Sequence, residues 1–141
     1  MIRELVVEEE PGGAEPPTEG ISLRVTSDGI ETPAVLTTGT HTFIVDVEAR
    51  ENGSPVYPDL HLVRVEEQTN PSEVVVWLDW YEIEGLTSPA PATFLGGYST
   101  YGSALIDNTA YFTTHINEPG TYAWVIQSGP DNPVWAEFTV E

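Results

Sequence analysis

The last quarter of the chain constrains the fold more than any other stretch. Pro119-Gly120 turns the chain into Thr121-Tyr122-Ala123-Trp124-Val125-Ile126, a run in which Tyr122, Trp124 and Ile126 share one face of an extended strand. A polar segment of Gly, Pro, Asp and Asn then returns the chain as Val134-Trp135-Ala136-Glu137-Phe138-Thr139-Val140. Two such runs joined by turn residues form a β-hairpin, and this one is expected to close a β-sandwich.

Other segments extend the pattern. Ile21-Ser22-Leu23-Arg24-Val25 alternates, Ser27-Asp28-Gly29 turns, and Pro33-Ala34-Val35-Leu36 leads to the turn Thr37-Thr38-Gly39. From Thr40 to Glu48, His41, Phe43, Val45 and Val47 share one face, and Thr40, Thr42, Asp46 and Glu48 share the other. That is the half-buried pattern of an antiparallel sheet. Asn52-Gly53 is a hairpin turn signal, and with Ser54 it also spells an N-glycosylation sequon. Leu60–Val65 is apolar on both faces until Arg64, so it is expected to lie centrally. Gly96-Gly97 reads as loop, and Ala110–Ile116 as a further strand.

One helix interrupts the strands, over about 71–84. Asn70 is a natural N-cap, Pro71 fits the first helical position and Glu73 can reach back to the cap. Val74, Trp77, Leu78 and Tyr81 then make an apolar stripe, expected to cover an edge or end of the sandwich, and Gly85 can terminate it. At the N-terminus, Ile2–Val7 reads as a short strand, and residues 8–20 as an acidic tether whose Pro, Gly and like charges oppose regular structure. The expected organisation is thus a strand at 1–7, a tether at 8–20 and one all-β sandwich domain at 21–141.

Charge narrows the function. Twenty-three Asp and Glu stand against four Arg, a net charge of −19, which repels nucleic-acid phosphates and acidic headgroups. No nucleic acid and no membrane insertion is expected. Such a surface suits high salt, where the Debye length falls to about 3 Å at 1 M. The N-terminus shows no apolar signal-peptide core. Cysteine is absent, which removes disulfides, thiolate metal sites and Cys nucleophiles.

Gly39-Thr40-His41-Thr42-Phe43-Ile44-Val45, Leu60–Val65, an inserted helix, Gly96-Gly97 and Pro119-Gly120-Thr121-Tyr122, followed by Phe138-Thr139-Val140, occur in an order that resembles the cupredoxin-like domains of secreted bacterial and archaeal proteins, over about 21–141. The resemblance implies a Greek-key β-sandwich of cupredoxin type and an extracellular or cell-surface location. In electron-transfer members, type-1 copper is held by two His, a Cys and often a Met, a soft trigonal set. Here the resemblance puts Ile126 at the Cys position, offers neither His nor Met between Ser128 and Ala136, and brings the first His position near Asp59. It therefore implies a fold without the blue-copper site, and no cofactor is expected.

The remaining chemistry is sparse. His41 and His61, with Asp59, are weak candidates for a Cu(II) or Zn(II) site, against the plainer expectation that backbone carbonyls satisfy both imidazoles. His115 reads as a surface residue. Asp107-Asn108 and Asp131-Asn132 read as solvated turns before they read as weak calcium sites. Nothing forms a nucleophile elbow, a His-Glu-x-x-His motif or a phosphate loop, so no enzyme is expected. Tyr57, Tyr98, Tyr101 and Tyr111 fall in loops or at strand ends, and Tyr98 and Tyr101 are the candidates to meet a partner. The expected function is a non-catalytic binding or structural module of a salt-adapted organism. The alternative is a self-assembling surface or filament subunit that donates Ile2, Leu5 and Val7 to a neighbour's sheet edge, and a further one is weak His-based metal binding.

Overall fold

A computed structural model describes residues 15–79, 89–99, 105, 107–128 and 131–141. The described elements run β1 (Ile21–Thr26), β2 (Gly29–Glu31), β3 (Val35–Leu36), β4 (Gly39–Val47), β5 (Asp59–Val65), α1 (Pro71–Leu78), β6 (Thr93–Ser99), β7 (Thr109–Ile116), β8 (Gly120–Ile126) and β9 (Val134–Val140). They form a four-stranded sheet, β2-β1-β4-β7, and a five-stranded one, β3-β9-β8-β5-β6. The chain changes sheets at Thr32-Pro33-Ala34, where Pro33 has no N–H to give a ladder.

Both sheets are mixed. β4 pairs antiparallel with β7, as its alternation suggested, but β1 runs parallel to β4, with Ile21 opposite Phe43, and β3 runs parallel to β9. Alternation has a period of two in either direction, so it shows which face is buried and not which way the neighbour runs.

Between the sheets, Leu23, Val25, Phe43, Val45 and Val47 meet Leu60, Leu62, Tyr122, Trp124, Ile126 and Phe138. Trp124 organises this layer. Its ring meets Phe43 edge-on at 4.9 Å and stacks on Phe138 at 5.7 Å. Its Nε1–H donates to Thr32 Oγ1 at 3.0 Å, so the buried indole leaves no donor unpaired.

Asn70 caps α1 by accepting from the Ser72 N–H at 3.0 Å, with Pro71 at the start as expected. The helix is shorter than 71–84, because Asp79 leaves helical geometry and caps its C-terminus. Three consecutive valines are weak helix formers, and an acidic residue at the C-terminal end opposes the helix dipole. Tyr81 and Gly85 lie outside the described residues. Its position also differs from the expected edge or end. Val74 and Val75, with Leu78 beside them, pack on Val63, Ala123 and Val125, so α1 covers the outer face of the five-stranded sheet. That sheet needs a cover because β5 and β8 are apolar on both faces.

Gly96 and Gly97 belong to β6 and are not loop. Gly97 has φ +147°, and a Cβ there would lie 1.9 Å from the Leu60 carbonyl oxygen, beside the register shift of β5 at Leu62/Val63. Only glycine lets β6 approach this closely. The Asn52-Gly53 turn forms as expected: Gly53, at φ +80°, donates its N–H to the Arg50 carbonyl at 2.8 Å, and Asn52 Oδ1 accepts from Ser54.

Candidate functional site

The head of β5, the tail of β8 and the tail of β6 meet at one end of the five-stranded sheet. In β5, Leu60 and Leu62 point into the core while Val63 packs under α1, so Asp59 and His61 share the outer face with Val63. Asp59 is only 3% exposed. Its Oδ1 accepts from the Gln127 backbone N–H at 3.2 Å, and its Oδ2 lies 3.3 Å from His61 Nε2. The His61 ring meets Phe94 edge-on at 6.0 Å, and Trp77 of α1 stacks on Phe94 at 5.1 Å.

Tyr98, opposite Leu60 in the ladder, is buried in the main core. Among the described residues its hydroxyl finds no hydrogen-bond partner. Burial first, and the nearby Asp59 charge second, push its pKa up. A strand residue of the core offers no ring to a partner, so Tyr98 is not on the surface where a loop aromatic was expected.

The other candidates do not converge. His41 faces inward on β4 and its Nε2 lies 2.7 Å from the Thr37 carbonyl oxygen. His115 is exposed on the outer face of β7 and bonds Thr40 Oγ1 through Nδ1 at 2.8 Å. His41 and His61 thus belong to different sheets. Among the described residues no group of three or more His, Asp or Glu is placed to hold a metal ion. Asp107 and Asn108 adopt left-handed backbone and turn the chain into β7, with the Asn108 carbonyl accepting from the Val47 N–H at 2.9 Å. Asp131 and Asn132 are exposed, Tyr57 packs against the core rim and Tyr111 is exposed. Ile2, Leu5, Val7 and Tyr101 lie outside the described residues.

The described arginines are engaged. Arg24 lies 3.6 Å from Asp46, Arg50 donates to the Val56 carbonyl at 2.7 Å, and Arg64 pairs with Glu66 at 3.3 Å and with Glu118. The Glu118 hydrogen bond holds the Arg64 pKa up. Tyr122 donates to the Glu118 carbonyl at 2.8 Å, tying the Pro119-Gly120 turn to the core.

An auracyanin B structure matches this one with a TM-score of 0.55 at 13% identity, over 91% of this chain and 92% of that one. The fold is cupredoxin-like. A dithionite-reduced auracyanin from the photosynthetic bacterium Roseiflexus castenholzii gives a TM-score of 0.47 at 13% identity, over 86% and 97%. No protein-family model and no curated protein sequence matches the chain.

A cupredoxin-like fold implies copper, and the residues present do not fit it. Ile126, which the resemblance puts at the Cys position, is fully buried among apolar side chains, and the chain has no cysteine anywhere. The resemblance puts the first His position near Asp59, whose oxygens already serve Gln127 and His61. One imidazole and one carboxylate, without a thiolate, are not the donor set of a type-1 centre. Sequence reading treated Asp59 only as a possible ligand and missed the partner that defines it. A signal was present: a carboxylate heading a strand that is apolar on both faces has to be buried and therefore paired.

Proposed function

We propose that this protein is a non-catalytic, copper-less, cupredoxin-like binding or structural module that works outside the cytoplasm of a salt-adapted organism. The observation that carries the reading is the donor chemistry: the chain has no cysteine, and where the resemblance points to copper ligands, Ile126 is buried and the nearby Asp59 is already occupied. The charge balance supports the salt-adapted part. Exposed carboxylates outnumber cations, and the described arginines are held in local ties, so self-repulsion is relieved mainly by counterions. Thermal unfolding between about 0.05 M and 3 M NaCl tests it, with a Tm that climbs with salt. A Tm independent of salt removes that part of the reading.

A second reading, a filament or cell-surface subunit joined by donation of Ile2–Val7, is favoured by β9. That strand pairs along its whole length with β8, while among the described residues its other side is paired only at Thr139 and Val140, by β3. An added strand finds backbone donors and acceptors on such an edge. Deleting residues 1–10 and measuring mass by light scattering in molar salt separates the readings. A large species that collapses to monomer on truncation favours the filament, and two monomers favour the module.

A further inference from the structure

Burying a carboxylate costs several kcal/mol unless its oxygens are paired, so the partners of Asp59 show what it does. Paired residues in the β5–β8 ladder extend from Val65 opposite Thr121 to His61 opposite Val125. Continued by the same register, the ladder would bring Asp59 opposite Gln127, just past the end of β8. There the Asp59 side chain reaches across and accepts from the Gln127 N–H. Its other oxygen faces His61, which is wedged by Phe94 beneath Trp77. Between these contacts Ile126 enters the core with no exposure.

We infer that Asp59 is a buried carboxylate clamp, fastening the head of β5 to the chain leaving β8 at the end of the sheet where the resemblance implies copper ligands in metal-bearing members. The clamp rests on the copper-less reading only for its comparison with a metal; its hydrogen bonds stand without it. It also has a property that surface pairs of this protein lack. Arg24 and Asp46 are 57% and 65% exposed, and molar salt screens such a pair. A carboxylate shielded from solvent is screened far less. The clamp therefore keeps its hold across the salt range in which exposed ion pairs lose theirs.

Amide hydrogen exchange of the full chain, followed by NMR in 1 M and 3 M NaCl, tests this residue by residue. The Gln127 amide should be protected equally at both salt concentrations. In Asp59→Ala its exchange should quicken by about tenfold or more, because hydrogen bonds to charged groups are the stronger class, while Val45 and Val47 in the opposite sheet keep their rates. If Asp59→Ala does not fold, Asp59→Asn carries the test. Its side-chain oxygen still accepts but is uncharged, so Gln127 should exchange faster by a smaller factor of about three or more. An unprotected Gln127 in the wild type, or a rate unchanged in the variant measured, overturns the clamp. An intense copper colour with an Asp59-dependent Gln127 would sink the copper-less reading and leave the clamp standing.

Discussion

The two sheets use their outer faces differently. In the five-stranded sheet, β8 is buried from Tyr122 through Ile126 without a break, because its inner residues meet the core and Ala123 and Val125 lie beneath α1. In the four-stranded sheet, β7 alternates: Ala110 and Ile116 are buried, while Tyr111, Thr113 and His115 face solvent. Their row is knitted to β4 by side chains, with Thr42 and Thr113 hydroxyls 2.9 Å apart and Thr40 bonded to His115. A strand's period thus reports how many of its faces are covered, and both kinds of strand occur here within one sandwich.

The largest test of that contrast removes the shared layer. Trp124→Ala should lose about 3–5 kcal/mol in denaturant unfolding at fixed molar salt, and a loss below about 1 kcal/mol would mean that the indole is not the centre of the core. Gly97→Ala should cost about 2–3 kcal/mol, since a Cβ meets the Leu60 carbonyl and the backbone is left-handed for any other residue. A near-neutral result would show that β6 can move off β5.

A matched pair then compares the two outer faces directly. Val125→Thr puts an unpaired hydroxyl under α1 and should cost about 1–3 kcal/mol. Thr113→Val, on the open face, should stay within about 0.5 kcal/mol. Equal effects would erase the distinction between the covered and the open face.

Much of this was legible in the residues. The alternation of β4 and the Tyr122, Trp124 and Ile126 face of β8 identified core residues, and Asn70-Pro71 marked where the helix begins. The face that α1 covers was legible only indirectly, in the doubly apolar β5 and β8, because periodicity names a stripe and not what it rests on. Gly96-Gly97 misled, since a glycine pair signals a turn as readily as a close approach of two strands, and Leu60 lies 37 positions away from Gly97. Asp59 misled for a similar reason: its decisive partner is a backbone N–H contributed by another strand's end, which no side-chain pattern encodes. The copper ligands were the opposite case, because a missing cysteine is visible without any geometry.

The one expected gain in stability concerns β6, at the edge of the five-stranded sheet. Among the described residues the buried Tyr98 hydroxyl finds no partner, so Tyr98→Phe should raise stability by about 1 kcal/mol. pH adds a signature. The unfolded tyrosine loses its proton near pH 10.0, whereas burial keeps Tyr98 protonated above that in the folded protein. The folded state then binds more protons, so stability falls as pH rises past 10. Tyr98→Phe should make that alkaline decline shallower, and an unchanged alkaline limb would mean that the hydroxyl is solvated.

The central claim is that this sandwich keeps a cupredoxin-like frame without the donor set of a type-1 copper site. Adding Cu(II) in molar NaCl while recording visible absorption and Tm tests that most directly. The account predicts no intense blue band and no rise in Tm, because no thiolate is present to bind copper tightly. A tightly bound, intensely coloured copper centre that raises Tm would contradict it.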